Sequence, residues 1–128
     1  MALADLVVVM NNGRLEQAGN PREVFDAPRT EFVARFIGGH NVIEVDGRKV
    51  GLRADRTELR LPSDKPGGRP VTVRDVEYQG TSVVVSLAGE NGSELTAVVP
   101  ERSFYDRPFA VGDHAAVHWD PADIRDLQ

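Results

Sequence analysis

The sequence predicts a mainly β chain, in which a short hairpin and two short helices precede a small barrel or sandwich. Three observations carry this. Short apolar stretches alternate with polar residues from about Val42 onward, and Gly, Asn, Asp or Pro turns punctuate them. Helical spacing is confined to residues 21–37. The apolar phase slips between Val73 and Val76, which predicts a bulge near Arg74-Asp75 of the kind that bends a strand towards closure.

The first strand is Leu6-Val7-Val8-Val9-Met10, a continuous apolar run that suits burial on both faces. Asn11-Asn12-Gly13 is a strong turn signal, because Asn and Gly tolerate positive φ. Arg14 to Gly19 returns as the second strand. A two-stranded hairpin is marginal in water, so this one wants a larger sheet. An unpaired apolar strand invites pairing with another chain. Leu6, Val7, Val8, Val9 and Met10 are therefore the candidate self-association strand, within a self-associating segment 1–19.

Asn20 is a good N-cap, Pro21 suits the first helical position, and Glu23 completes a capping-box pattern. Val24 and Phe25 supply an apolar side, and Pro28 stops the helix. Thr30 caps a second helix, with Phe32, Val33, Phe36 and Ile37 at helical spacing. Gly38-Gly39 ends it.

From Asn41 the pattern is β. Val42 to Val45, the turn Asp46-Gly47 and Val50 to Arg53 form a hairpin, and Glu58 to Leu61 is a further short strand. Pro62 to Pro70 is a turn-rich loop. Val71 to Tyr78 is the bulged strand, Val83 to Leu87 and Leu95 to Val99 flank the loop Gly89 to Gly92, and Val111-Gly112-Asp113 turns into a last strand with Ala115, Val117 and Trp119 on one face. The boundary is expected at Gly38 to Asn41, giving domains 1–40 and 41–128.

Composition excludes more than it selects. The 128 residues carry 15 basic and 20 acidic side chains, a net charge of −5. Residues 1–40 hold four basic and five acidic side chains and residues 41–128 hold 11 and 15, so neither part is basic. Binding that neutralises phosphates is disfavoured, and no nucleic-acid partner is expected. There is no cysteine, hence no disulfide, thiolate zinc site or cysteine nucleophile. No apolar run reaches the roughly 20 residues of a membrane span, and no secretory signal is expected at the start. No phosphate loop, GxGxxG, HExxH or GxSxG is present.

His114 and His118 share a strand face and read as a metal pair or, more simply, as a solvated face. His40 suits a capping or surface role. Asp120, Asp123 and Asp126 could approach one another, but such a tail is usually solvated. Asn91-Gly92-Ser93 is a sequon best read as a turn. No catalytic residue, cofactor site or metal site is assigned.

Ala2-Leu3-Ala4-Asp5-Leu6-Val7-Val8-Val9-Met10 with Asn12-Gly13-Arg14-Leu15-Glu16-Gln17-Ala18-Gly19-Asn20-Pro21 resembles the end of the nucleotide-binding domain of ABC importer ATPases, ADRI/VVVMxxGRIEQxGTP. Leu6 stands where that family has Arg. Arg22 to Pro28 resembles the helix that follows, and Thr30 to Gly38 the "xxFVAxFIG" element. The remainder resembles the TOBE (transport-associated OB) domain of the same ATPases. Val50-Gly51-Leu52-Arg53-Ala54-Asp55 stands at the "GxRPE" motif, with Ala54 and Asp55 replacing Pro and Glu. Val73 to Gly80 resembles "VxxVEYxG", and Val111-Gly112-Asp113 with Val117 to Asp123 resembles the closing "VGDxVxLxWxPxD" of the polyamine- and iron-importer type.

The resemblance implies a small OB-like barrel at 41–128, preceded by a remnant of the nucleotide-binding domain. It implies that the Walker loops, signature and switch His lie upstream of Met1, so that ATP and Mg belong to the full-length parent and not to this chain. It implies an accessory or regulatory domain that is not itself an enzyme. The expected partners are a homodimer or swapped oligomer and, through the parent, membrane permease subunits, at the cytoplasmic face of the membrane. Candidate ligand or interface residues are Arg53, Asp55, Trp119, Phe104 and Tyr105. The three aromatics are hot-spot anchors, barrel core or a covered loop. Arg53, Arg56 and Lys49 could supply charge in the alternative reading, a small-oxyanion-binding module.

Overall fold

A computed structural model describes residues 6–128, with only the backbone of Asn91. Met1 to Asp5, where the self-associating segment and the ATPase-like motif begin, lie outside the described residues. The elements run β1 (Val7–Asn11), β2 (Arg14–Gly19), α1 (Pro21–Asp26), α2 (Glu31–Ile37), β3 (His40–Val45), β4 (Arg48–Arg53) and β5 (Glu58–Arg60). They continue with β6 (Arg69–Tyr78), β7 (Ser82–Gly89), β8 (Glu94–Pro100), α3 (Glu101–Asp106), β9 (His114–His118) and β10 (Ile124–Asp126). The chain is mainly β, as expected. It packs as two compact units, Met1–Arg53 with Asp123–Gln128, and Ala54–Ala122. Packing therefore divides the chain after Arg53 rather than at residue 40.

In the first unit, β1 and β2 pair antiparallel around Asn12 (φ 51°) and Gly13 (φ 80°), the positive-φ pair a two-residue hairpin needs. The run Leu6 to Met10, expected to be buried on both faces, is buried on one. Val9 is 1% exposed, whereas Val8 and Met10 are each 49% exposed. The reason is that α1 and α2 supply a single layer, closing a small core of Val9, Val24 and Val33. No third strand joins the hairpin among the described residues.

The helices start where local chemistry puts them. Asn20 accepts a hydrogen bond from the Glu23 amide at 2.8 Å, and Thr30 Oγ1 accepts from the Val33 amide at 3.1 Å. Gly38 (φ 79°) closes α2. Buried Gln17 fastens the hairpin to the α1–α2 connection: its side chain donates to Ala27 O (3.2 Å) and accepts from the Arg29 amide (2.9 Å). Sheet β10-β4-β3 completes this unit, with Leu52 of the central strand opposite Asn41 and Ile124. The hairpin expected to open the barrel thus pairs with β10, a strand the sequence did not announce.

The second unit is one antiparallel sheet in the order β5-β9-β6-β7-β8. The expected bulge is present: register shifts between Val73 and Asp75 opposite Leu87 and Ser86, which leaves Arg74 as the extra residue. The sheet curls until residues of β5 lie against β8, although the two strands are not paired. Val73, Val83, Val85, Leu87, Ala97 and Val117 fill the concave side, and Phe104 of α3 is 2% exposed among them.

Candidate functional site

The second unit carries a groove of about 480 Å³ where the curled sheet fails to close. One wall is the 3-10 turn Ala54–Arg56 and β5, and the other is the end of β8 with α3. Leu59, Val98, Val99, Phe104 and Phe109 give it an apolar lining. Its charges are largely paired within the unit. Glu58 accepts from Arg60 at 2.6 Å, with Lys65 Nζ at 3.6 Å, and Arg107 donates to Asp64.

The Arg60 hydrogen bond holds the Glu58 carboxyl below the ordinary carboxylate range, against a smaller upward push from burial. In the first unit, hydrogen bonds from Lys49 and then Arg35 lower Glu31 in the same way. Both carboxylates have depressed folded-state pKa values, so their stabilisation is present above the unfolded carboxylate pKa and is lost as pH falls through the folded one. Glu58 is 38% exposed, so solvent screening keeps that contribution small.

The structure disperses the residues singled out by sequence. In the first unit, Arg53 donates to Asp26 at 2.8 Å and its guanidinium lies 5.2 Å over the Phe25 ring, which in turn meets His40 edge-on. Lys49 pairs with Glu31 at 2.8 Å. Two of the three cations that could supply charge for an anion, Lys49 and Arg53, thus each already face a carboxylate. In the second unit, Asp55 and Arg56 are exposed on the groove wall. Phe104 is core, its ring meeting Tyr78 edge-on at 5.7 Å. Tyr105, one residue on, is 64% exposed. Trp119 is half-buried beneath the Arg69 guanidinium at 5.4 Å.

His114 is exposed. His118 is partly buried, and its Nε2 is covered by the loop at Gly68, where an added Cβ would come within 2.5 Å. Asp120 accepts from the Ala122 amide, and Asp126 pairs with Arg48. Among the described residues no three His, Cys, Asp or Glu side chains are grouped to hold a metal, and no helix is long and apolar enough to cross a membrane. Sequence reasoning missed the pairs Glu58–Arg60 and Asp64–Arg107 and the groove position of Phe109. Only the short-range Glu58–Arg60 pair carried a signal in its spacing.

The model of the TOBE domain family matches residues 50–127. Over 130 residues the chain is 28% identical to the spermidine/putrescine import ATP-binding protein PotA of Bacillus thuringiensis (strain Al Hakam), covering 96% of this chain and 38% of that protein. It is 37% identical over 144 residues to the Fe(3+) ions import ATP-binding protein FbpC of Streptomyces coelicolor, covering 96% and 40%. It is 32% identical over 136 residues to the sulfate/thiosulfate import ATP-binding protein CysA of Burkholderia mallei, covering 88% and 39%. The chain thus spans about two fifths of the length of these relatives. Among solved structures, the cytoplasmic molybdate-binding protein ModG, with molybdate bound, superposes with a TM-score of 0.52 at 20% identity. That match covers 61% of this chain and 60% of ModG, and is a likeness of fold.

Proposed function

The chain belongs to the TOBE domain family, and on that premise we propose that it serves as the accessory, regulatory C-terminal part of an ABC importer ATPase. It supports dimerisation or regulation of the ATPase and carries no ATP-hydrolysing site of its own. One observation carries the reading: similarity to importer ATP-binding proteins runs through 96% of the chain, across both packed units and not the TOBE-matching residues alone. Its partners are then a second ATPase subunit and, through the whole protein, the membrane permease, at the cytoplasmic face. ATP and Mg are handled by the rest of that protein.

Mixing the chain with a polyamine-importer ATPase that lacks its own C-terminal part tests this. Co-sedimentation of the two is the expected result, and independent sedimentation at every concentration overturns the proposal.

The likeness to ModG raises a second reading, a small-oxyanion module. The charge geometry speaks against it, since Lys49, Arg53, Arg60 and Arg107 each face a carboxylate within their own unit. An anion would have to displace those partners and repel them at close range. Calorimetric titration with molybdate, sulfate and phosphate is expected to give no binding heat at millimolar anion. A saturable heat would favour the oxyanion reading.

A further inference from the structure

We propose that His118 makes the loop 62–68 a proton-sensitive flap: the loop lies closed over the neutral ring and lifts when the ring takes up a proton. Both parts of the device belong to the second packed unit.

His118 ends β9. Successive side chains of a strand alternate in direction, so with Val117 on the concave side Ala116 and His118 point to the outer side. Ala116 is nonetheless only 5% exposed. Gly68, at the end of the loop, covers them both. A Cβ there would come within 2.5 Å of His118 Nε2 and 2.8 Å of the Ala116 Cβ, so only glycine permits this approach. His118 Nε2 is buried and has no hydrogen-bond partner among the described residues.

The charged groups around the ring come from several elements. On β5, Glu58 is the register partner of His118, and its carboxylate accepts from Arg60 at 2.6 Å. In the loop, Lys65 Nζ stands 3.6 Å from the same carboxylate, and Asp64 pairs with Arg107. On β6, Arg69 follows Gly68 and lies over the Trp119 ring. Along its own strand direction His118 is flanked by exposed His114 and by Asp120, which accepts from the Ala122 amide at 2.9 Å.

A neutral imidazole tolerates this setting, because Nε2 can keep its lone pair while Nδ1 holds the proton. The imidazolium carries an N–H on both nitrogens. At Nε2 that N–H would meet no acceptor, and a buried charge would lack a partner of its own. Glu58 is the carboxylate opposite, and Arg60 and Lys65 already share it. Proton uptake is therefore relieved in two ways. Lifting Gly68 lets water reach Nε2, and drawing Glu58 towards the ring weakens its hold on Lys65. Both release the loop. Residues 61–67 are exposed, and the loop's ion pairs to the rest of the unit are surface pairs of the kind that hold weakly in water.

Backbone ¹⁵N relaxation at about pH 7.5 and about pH 5 tests the flap, since histidine changes charge across this interval. Glu58 stays ionised throughout, because the Arg60 hydrogen bond holds its carboxyl below the ordinary range. The order parameter of the Gly68 amide is expected to fall from about 0.85 at the higher pH to about 0.6 or below at the lower. His118→Gln takes up no proton and is expected to keep the higher value at both. His114→Gln is expected to fall as the parent does. Gly68→Ala is expected to show the lower value already at pH 7.5, because its Cβ cannot fit against the ring. Equal order parameters in the parent at the two pH values overturn the proposal, as does a fall that persists in His118→Gln. Far-UV circular dichroism checks that each variant folds. Should His118→Gln fail to fold, a Gly68→Ala loop as ordered as the parent's at pH 7.5 also overturns it.

Discussion

Phe104→Ala is expected to destabilise the second unit by about 3–5 kcal/mol, the cost of emptying a fully packed aromatic site. Phe104 is 2% exposed and is the one buried residue of α3. A six-residue helix has no stability of its own, so its position depends on that anchor. The ring also packs edge-on against Tyr78 at 5.7 Å, an arrangement worth roughly 0.5–1.5 kcal/mol beyond area alone. Removing it takes away one wall of the groove as well. Trp119 is the sole tryptophan and belongs to the second unit, so its fluorescence in a urea titration reads this unit directly. A loss below about 1 kcal/mol would contradict the packing described, since cavities of this size cost several times that.

Leu52→Ala is expected to cost about 2–5 kcal/mol, in the first unit. Leu52 is 1% exposed in β4, the central strand between β3 and β10. Its truncation leaves a void that both neighbouring strands border. The first unit's share of the transition followed by far-UV circular dichroism should move to lower denaturant, while the Trp119 midpoint stays at the parent value. An equal shift of the Trp119 midpoint would show that the two packed units unfold as one.

Much of the local structure was legible because its causes lie within a few residues. The hairpin turn follows from Asn12-Gly13, and the helix starts follow from Asn20 and Thr30, each bonding an amide three residues on. The bulge at Arg74 was visible because a strand has period two, and one extra residue moves every later side chain to the other face. Helix α3 gave no signal, since six residues are too few to establish a helical period. Strand β10 is three residues long and exists because β4 offers it a partner.

The candidate site was less legible than the fold, for a related reason. Arg53 looked available to an anion, but its partner Asp26 lies 27 residues earlier. Phe104 and Tyr105 are adjacent and chemically alike. One is core and the other surface, and only the docking of α3 separates them.

The sequence by itself determined the turns, caps, bulge and mainly β character, together with the resemblance to importer ATPases, because these depend on residue type and short spacing. Only the tertiary structure decided that β3 and β4 pack with the hairpin and helices, that β1 is covered on one face, and that Lys49, Arg53, Arg60 and Arg107 are matched by carboxylates. The reason is physical. Burial and ion pairing depend on which layers meet, and strand pairing is set by partners many residues away whose closure entropy and packing no local pattern encodes.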